Sequence, residues 1–446
     1  MKTKKLKKWM LVVLFTMFLF SALSAKTIYV KTDGIDTNGG LSWENAKLTI
    51  GAAYTLAVES DEIWVAGGTY NISATVTILK KALSFYGGFA GTESTLDERN
   101  WKTNKTIISN LGANRIFTIG ANNVDASNII IDGVTIQNGN SATGAAIQMP
   151  GNATNNSRCK NVIIRNCIIR NNLGSAGGTV LVGIGAEISF YNCLFINNES
   201  PVSIISGNGA NGKLHVYNCT FVNNKTAAGG SVISFSDANN VLTNSILWNN
   251  KAVDTVIGAT FKAGSSPATV KALAGDFKLD SAIVSLDSTL VYIELSNTNT
   301  DVKGPNFKSP GTSVGVVPDV TTLDAFDYSL LVSSPCINVG DNNFMTDSFD
   351  LAKNARISGN IVDLGPYEFV ATTTGFKPDN KIVKSLIIVN NGIVLNAEGS
   401  IQVLSFAGIT LKNEKVSYGQ FIALPSGIYI VRVMTNTGTF VQKITL

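Results

Sequence analysis

Histidine is nearly absent from this chain, with His215 alone in 446 residues. One imidazole cannot build a multi-histidine metal site, and the spacing offers it no serine and acid partners for a nucleophilic triad. Charge is scarce too, at 15% of residues, and there are only 10 Pro against 41 Gly. The net charge of +4 comes from Lys2, Lys4, Lys5, Lys7 and Lys8; without these five the remainder carries about −1. A nucleic-acid partner therefore has no electrostatic footprint. The apolar run LVVLFTMFLFSALSA is shorter than the ~20 residues a spanning helix needs. Preceded by lysines and ending in small residues, it makes residues 1–25 read as a secretory signal cleaved after Ala25, with an uncleaved anchor as the alternative.

What the chain has instead is a repeat. NVIIRNCIIRNN (161–172), EISFYNCLFINN (187–198), KLHVYNCTFVNN (213–224) and NNVLTNSILWNN (239–250) superimpose at a spacing of 26 residues. Asn166, Asn192, Asn218 and Asn244 form one column, and Cys167, Cys193, Cys219 and Ser245 the next. A fixed period of this length with strand-like alternation marks a coil that stacks on itself, because one coil cannot bury its apolar side alone. NIIIDGVTIQNGN joins the set if Gly133–Val134 takes the Asn–Cys position, with seven extra residues looping out near Gly151–Cys159.

Alternation assigns the faces. If Cys193 points inward, so do Phe190 and Phe195, while Tyr191, Leu194 and Ile196 point outward around a bend at Asn192. Asparagine tolerates left-handed backbone geometry, and the column can stack amide on amide. Five cysteines cannot all pair, and three at equivalent inward positions read as a reduced apolar ladder, although one disulfide remains open.

Upstream, LSWENAKLTIGAAYTLA reads as an amphipathic helix with Trp43, Ala46, Ile50, Ala53 and Ala57 on one face, placed to cap the open end of the stack. The fold class expected is all-β: a right-handed parallel β-helix over 26–370 with an N-terminal capping helix, plus a small C-terminal β-sandwich. Regular coils span about 61–260 and an irregular closing region 261–370. A Thr-rich linker follows at 371–380, and the sandwich occupies 381–446.

IYVKTDG, SWENA, DEIWVAGGTY and YGGFAGTES, with SLLVSSPCINVGDNN and DLAKNARISGNIVDLGPYE, give the chain its resemblance. It resembles exported proteins of Bacteroidetes-type bacteria, pectin-lyase-like in fold and similar to polymorphic outer-membrane proteins in repeat style. Lys353 and Pro366 depart from that pattern, which usually has Gly and Ala there. SIQVLSFAGITL, ALPSGIYIVRV and the terminal VQKITL resemble a type IX secretion sorting domain. Ser405, Phe406 and Ala407 precede Gly408 where an Asp is frequent, and no Pro-Asn-Pro start is visible. The resemblance implies the type IX export machinery as a partner, an address at the cell surface or beyond, and removal of the C-terminal domain.

Chemistry is harder to find. Lyases of this resemblance use carboxylates holding Ca²⁺ with an Arg or Lys base, and glycosidases use paired acids. Only Asp132 is acidic among the outward positions Asp132, Arg165, Tyr191, Tyr217, Thr243 and Gln137, Arg170, Ile196, Val222, Trp248. Arg165 and Arg170 read as solvated surface residues. Asp33, Asp36 and Asn38 offer Ca²⁺ ligands in DGIDTNGG, but EF-hand spacing fails and a polar turn is the reading; no cofactor is expected. The outward face is unusually apolar, so it is either covered by part of 261–370 or used. In the second case Tyr191, Tyr217 and Trp248 form a platform for a polysaccharide, a cell-surface glycan or a protein partner. The function expected is that of a secreted or surface-displayed, non-catalytic, adhesin-like binder. A polysaccharide lyase or glycoside hydrolase is the alternative, and a structural surface component the third reading.

Overall fold

The computed structural model describes residues 25–253 except 81, 122–123, 125, 152–158, 208–211 and 236–239; short backbone strands within 255–293; residues 304–370 except 346; and most of 386–445. Residues 1–24 of the expected signal, the loop at 152–158 and the linker at 371–380 lie outside the described residues. By its contacts the chain divides into Met1–Ala371 and Thr372–Leu446.

The first unit is a parallel β-helix. Between residues 130 and 235 each coil contributes two consecutive strands to one long sheet, then short strands to a six-stranded and an eight-stranded sheet. In one coil these are Glu187–Tyr191, Leu194–Ile196, Glu199–Ser200 and Ser203–Gly207. The next coil pairs in register, Phe190 with Val216 and Phe195 with Phe221, which is the 26-residue offset of the sequence. Asp132 pairs with Arg165 across the 33-residue interval, as the Gly133–Val134 alignment requires. The coil starts earlier than the repeat, since Thr27–Val30 already pairs with Glu62–Ala66. It also runs on past 260: Ala268–Gly275 pairs with Val241–Trp248, although the sequence loses its period there.

The bends are set by asparagine. Asn166, Asn192, Asn218 and Asn244 all have φ between 51° and 53°, left-handed geometry that most side chains avoid. A second column, Asn171, Asn197, Asn223 and Asn249, does the same at the following corner. The continuous amide ladder lies one residue further on. Asn172, Asn198 and Asn224 each donate from Nδ2 to the next Oδ1, ending on Asn250, at 3.0, 3.0 and 2.8 Å. In the Asn166 column only Asn192 donates to its neighbour's amide, at 3.3 Å. Inside, Phe195 stacks on Phe221 with centroids 4.3 Å apart, and the buried thiols of Cys159, Cys167, Cys193, Cys219 and Cys336 are all outside any disulfide. Burial pushes the Cys193 thiol well above its ordinary pKa.

The N-terminal helix is shorter than the pattern suggested. Only Ile50–Leu56 is helical, capped by Thr49, whose hydroxyl accepts from Ala52 N. Trp43 and Ala46 sit outside it because their segment is used as an edge partner: Lys47 N donates to Tyr29 O and Lys31 N to Lys47 O. That segment closes the first strand, while Ile50 and Ala53 plug the core.

Over Leu194 to Ile246 the outward face of the second strand in each coil is covered. Leu194, Ile196, Val222 and Ile246 form a second core with Phe307, Tyr328, Leu330, Cys336, Leu351 and Leu364 from the closing region. Each such side chain contributes roughly 1.5–3 kcal/mol by leaving water. The corner asparagines double as anchors. Asn197 donates to Ser313 O and Gly315 O, Asn223 to Gly311 O, and Asn244 to Asp341 O.

The C-terminal unit packs a three-stranded and a four-stranded antiparallel sheet around Ile393, Leu395, Ile401, Val403, Ile422, Tyr429, Val431 and Val433.

Candidate functional site

The outward side chains of the first strand in each coil form a column in ladder register: Tyr29, Trp64, Tyr86, Asp132, Arg165, Tyr191, Tyr217, Thr243. At its beginning Trp43 and Phe89 cover Tyr29 and Trp64, and Trp64 stacks on Phe89 at 4.5 Å. Two features follow along the column, one ionic and one aromatic.

The ionic feature centres on Asp132, which is fully buried (0% exposed). Arg99 donates to it from Nη2, Arg165 from Nε at 2.6 Å and Asn166 from Nδ2 at 3.0 Å. Burial works against its charge, but Arg99 and Arg165 outweigh it and hold the carboxyl below its usual range. Arg165 also reaches Asp347 of the closing region, 3.3 Å from Nη1. Its own burial opposes the positive charge, yet the two carboxylates raise its pKa above the ordinary value. Asp347 is pushed up by burial despite Arg165. Nearby, Lys353 Nζ lies over the rings of Trp101 at 4.1 Å and Phe349 at 4.2 Å. Burial, then Arg99, lowers the pKa of Lys353.

The expectation of solvated surface arginines is thereby corrected. Arg170 is buried, accepted by Gln137 Oε1 at 2.9 Å and by Asp324 Oδ1 at 2.6 Å. Both outward arginines are structural links to carboxylates, and Asp324 and Asp347 come from a segment with no readable period.

The aromatic feature follows directly. Tyr191 and Tyr217 stack with centroids 4.9 Å apart and planes 9° from parallel, and Phe344 continues the stack at 5.9 Å from Tyr217. All three rings are half-buried. Burial raises both phenols, that of Tyr217 to about 12, so both stay protonated donors. Asn192 joins the two features, donating to Asp347 Oδ2 at 3.3 Å and Phe349 O at 3.1 Å. His215 pairs with Ser189 Oγ at 3.2 Å and lies 6.0 Å from Tyr217.

Trp248 does not share this stack. It belongs to the second-strand column, beyond the bend at Asn244, and packs against the covered core. A Cβ on Gly304 would come within 2.5 Å of its ring, so the closing region lies directly on it. Of the three expected residues, Tyr191 and Tyr217 share one stack, and Trp248 lies outside it; Phe344, which the sequence did not single out, joins the two tyrosines.

In DGIDTNGG the groups are committed locally. Asp36 accepts from Leu48 N, Thr49 N and Thr49 Oγ1, and Asn38 Nδ2 donates to Ala46 O. Among the described residues, no group of three His, Cys, Asp or Glu side chains is placed to hold a metal ion.

No family model matches the chain, and no curated protein matches it. Among solved structures, it is similar to the crystal structure of pectate lyase Pel9A, at 12% identity over 78% of this chain and 98% of that one, with a TM-score of 0.37. A likeness at that score carries no argument about chemistry, and the fold rests on the ladders described above.

Proposed function

We propose that this is an exported, surface-displayed β-helix that binds carbohydrate without turning it over. The half-exposed stack of Tyr191, Tyr217 and Phe344 carries this reading. Broad apolar rings with a polar tip suit a ligand that is flat on one side and hydroxylated at its edge. The ion pairs beside the stack weigh against lyase chemistry. A base must be able to take a proton, and Arg165 is held protonated by Asp132 and Asp347. In a panel of immobilised polysaccharides, at least one should retain the protein, and Tyr217→Ala should weaken retention roughly tenfold, the loss of one well-placed ring. Retention unchanged by Tyr191→Ala and Tyr217→Ala would remove the stack from the account.

One observation favours the catalytic alternative, a polysaccharide lyase. Lys353 has a lowered pKa and lies in the same neighbourhood as Arg99 and Asp132, as a lysine base would. Both of its flanks are taken by Trp101 and Phe349, which suits a packed cation better.

The address is proposed from the C-terminal unit, taken as a type IX sorting module. Deleting residues 381–446 should leave the protein inside the cell envelope, whereas secretion of the truncated chain would refute the assignment.

A further inference from the structure

We propose that the Ala25–Lys26 bond is a processing site whose cleavage completes the N-terminal end of the coil, seating the new α-ammonium of Lys26 on the buried carboxylate of Asp61. The inference rests on reading residues 1–25 as a removable leader, and it adds a structural consequence of that removal.

The geometry is already in place. Lys26 main-chain N lies 3.0 Å from Asp61 Oδ1, while Val58 N donates to Oδ2 at 2.8 Å. The Asp61 side chain is 1% exposed. Lys26 is held at the head of the first strand, because its carbonyl accepts from Glu62 N at 3.0 Å and the next residue, Thr27, pairs with Glu62. Ala25, on the other side of the bond, is exposed. Before processing, the atom facing Asp61 is a neutral amide. The cation nearest the carboxylate is then Lys26 Nζ, at 3.6 Å on a side chain 37% exposed.

Hydrolysis changes that atom. Water adds across the amide, and the C–N bond breaks. The Ala25 carboxylate departs with the leader, and the Lys26 nitrogen, gaining protons, becomes an ammonium. A leader peptidase is the only other participant required. An amide-to-carboxylate hydrogen bond becomes a charge-assisted one on a buried carboxylate, where such bonds are stronger. A start one residue earlier or later moves the charge away from Asp61.

The test uses the full chain in two lengths, beginning at Lys26 or at Ala25, each with Asp61 or with Asp61→Asn. Thermal unfolding midpoints and acylation of the α-amine at mildly acidic pH, read by mass spectrometry, are compared. Asp61→Asn should lower the midpoint more in the Lys26-start chain than in the Ala25-start chain. The Lys26 amine should acylate roughly tenfold more slowly when Asp61 is present. Equal midpoint shifts in both lengths, or equal acylation with and without Asp61, would overturn the pair. If Asp61→Asn does not fold, comparing the Lys26 amine with the Ala25 amine of the longer chain decides the same point. N-terminal sequencing of the exported protein tests the leader separately, and a first residue other than Lys26 overturns the processing site.

Discussion

Arg170 donates from Nη1 to Asp324 at 2.6 Å, tying an outward position of the coil to a residue 154 positions later in the chain. The same guanidinium holds Gln137 on the neighbouring coil, so one side chain links two coils and their cover. Truncation to Ala would strand a buried amide and loosen the cover. Arg170→Ala should cost about 2–4 kcal/mol by urea unfolding, and Asp324→Ala, losing a half-exposed partner, clearly less. No measurable cost from Asp324→Ala would show that the cover does not depend on this link.

The asparagine columns do different work and should respond differently. Asn218 supplies φ of 53°, so Asn218→Gly should be nearly neutral while Asn218→Ala costs about 1–2 kcal/mol. Asn224 is a ladder member. Its Nδ2 donates to Phe195 O and to Asn250, and its Oδ1 accepts from Asn198. Asn224→Ala leaves several buried groups without partners and should cost on the order of 3–5 kcal/mol, measured by the same denaturation curves.

In the closing region one guanidinium serves three buried carboxyls. Arg356 donates to Glu368 at 2.7 Å, and Asp350 and Asp363 accept from the backbone around them. Burial raises all three acids, Glu368 to about 7. A carboxyl raised in the folded state contributes stability that is complete below its ordinary pKa and is lost as pH rises through the folded value. The unfolding midpoint should therefore fall between about pH 4.5 and 7, and Glu368→Gln should flatten that slope. A midpoint that rises over this range would contradict the burial assigned to Glu368.

The buried thiols should be silent to a thiol reagent until the chain unfolds, when all five react. Cys193→Ser should be mild, about 1.5 kcal/mol or less. Ser245 already occupies the same column and donates to Thr243 O at 2.8 Å, the counterpart of the Cys193 thiol and Tyr191 O.

The coil was legible because its physics repeats. Inward Phe and Cys, bend Asn and outward Tyr recur at one interval, so Phe190, Cys193 and Tyr191 could be assigned from alternation alone. A cover from part of 261–370 was legible in the apolar outward face; the residues that make it were not, because their contacts are made once each. Nothing in the sequence near Asp324, Phe344 or Asp347 points to Arg170, Tyr217 or Arg165, whose partners are fixed only when the closing region folds back. The same single-use contacts explain why Arg170 read as solvated and Trp248 as exposed. The helix was overextended because Trp43 and Ala46 share its spacing, while backbone pairing with Tyr29 and Lys31 claims their segment.

The most direct test of binding without turnover is to incubate the protein with the polysaccharide that retains it, following bound protein and released ends or unsaturated uronate together. The account predicts retention that falls with Tyr217→Ala and no product above the buffer control. Product formed by the native protein and abolished by Lys353→Met would contradict it.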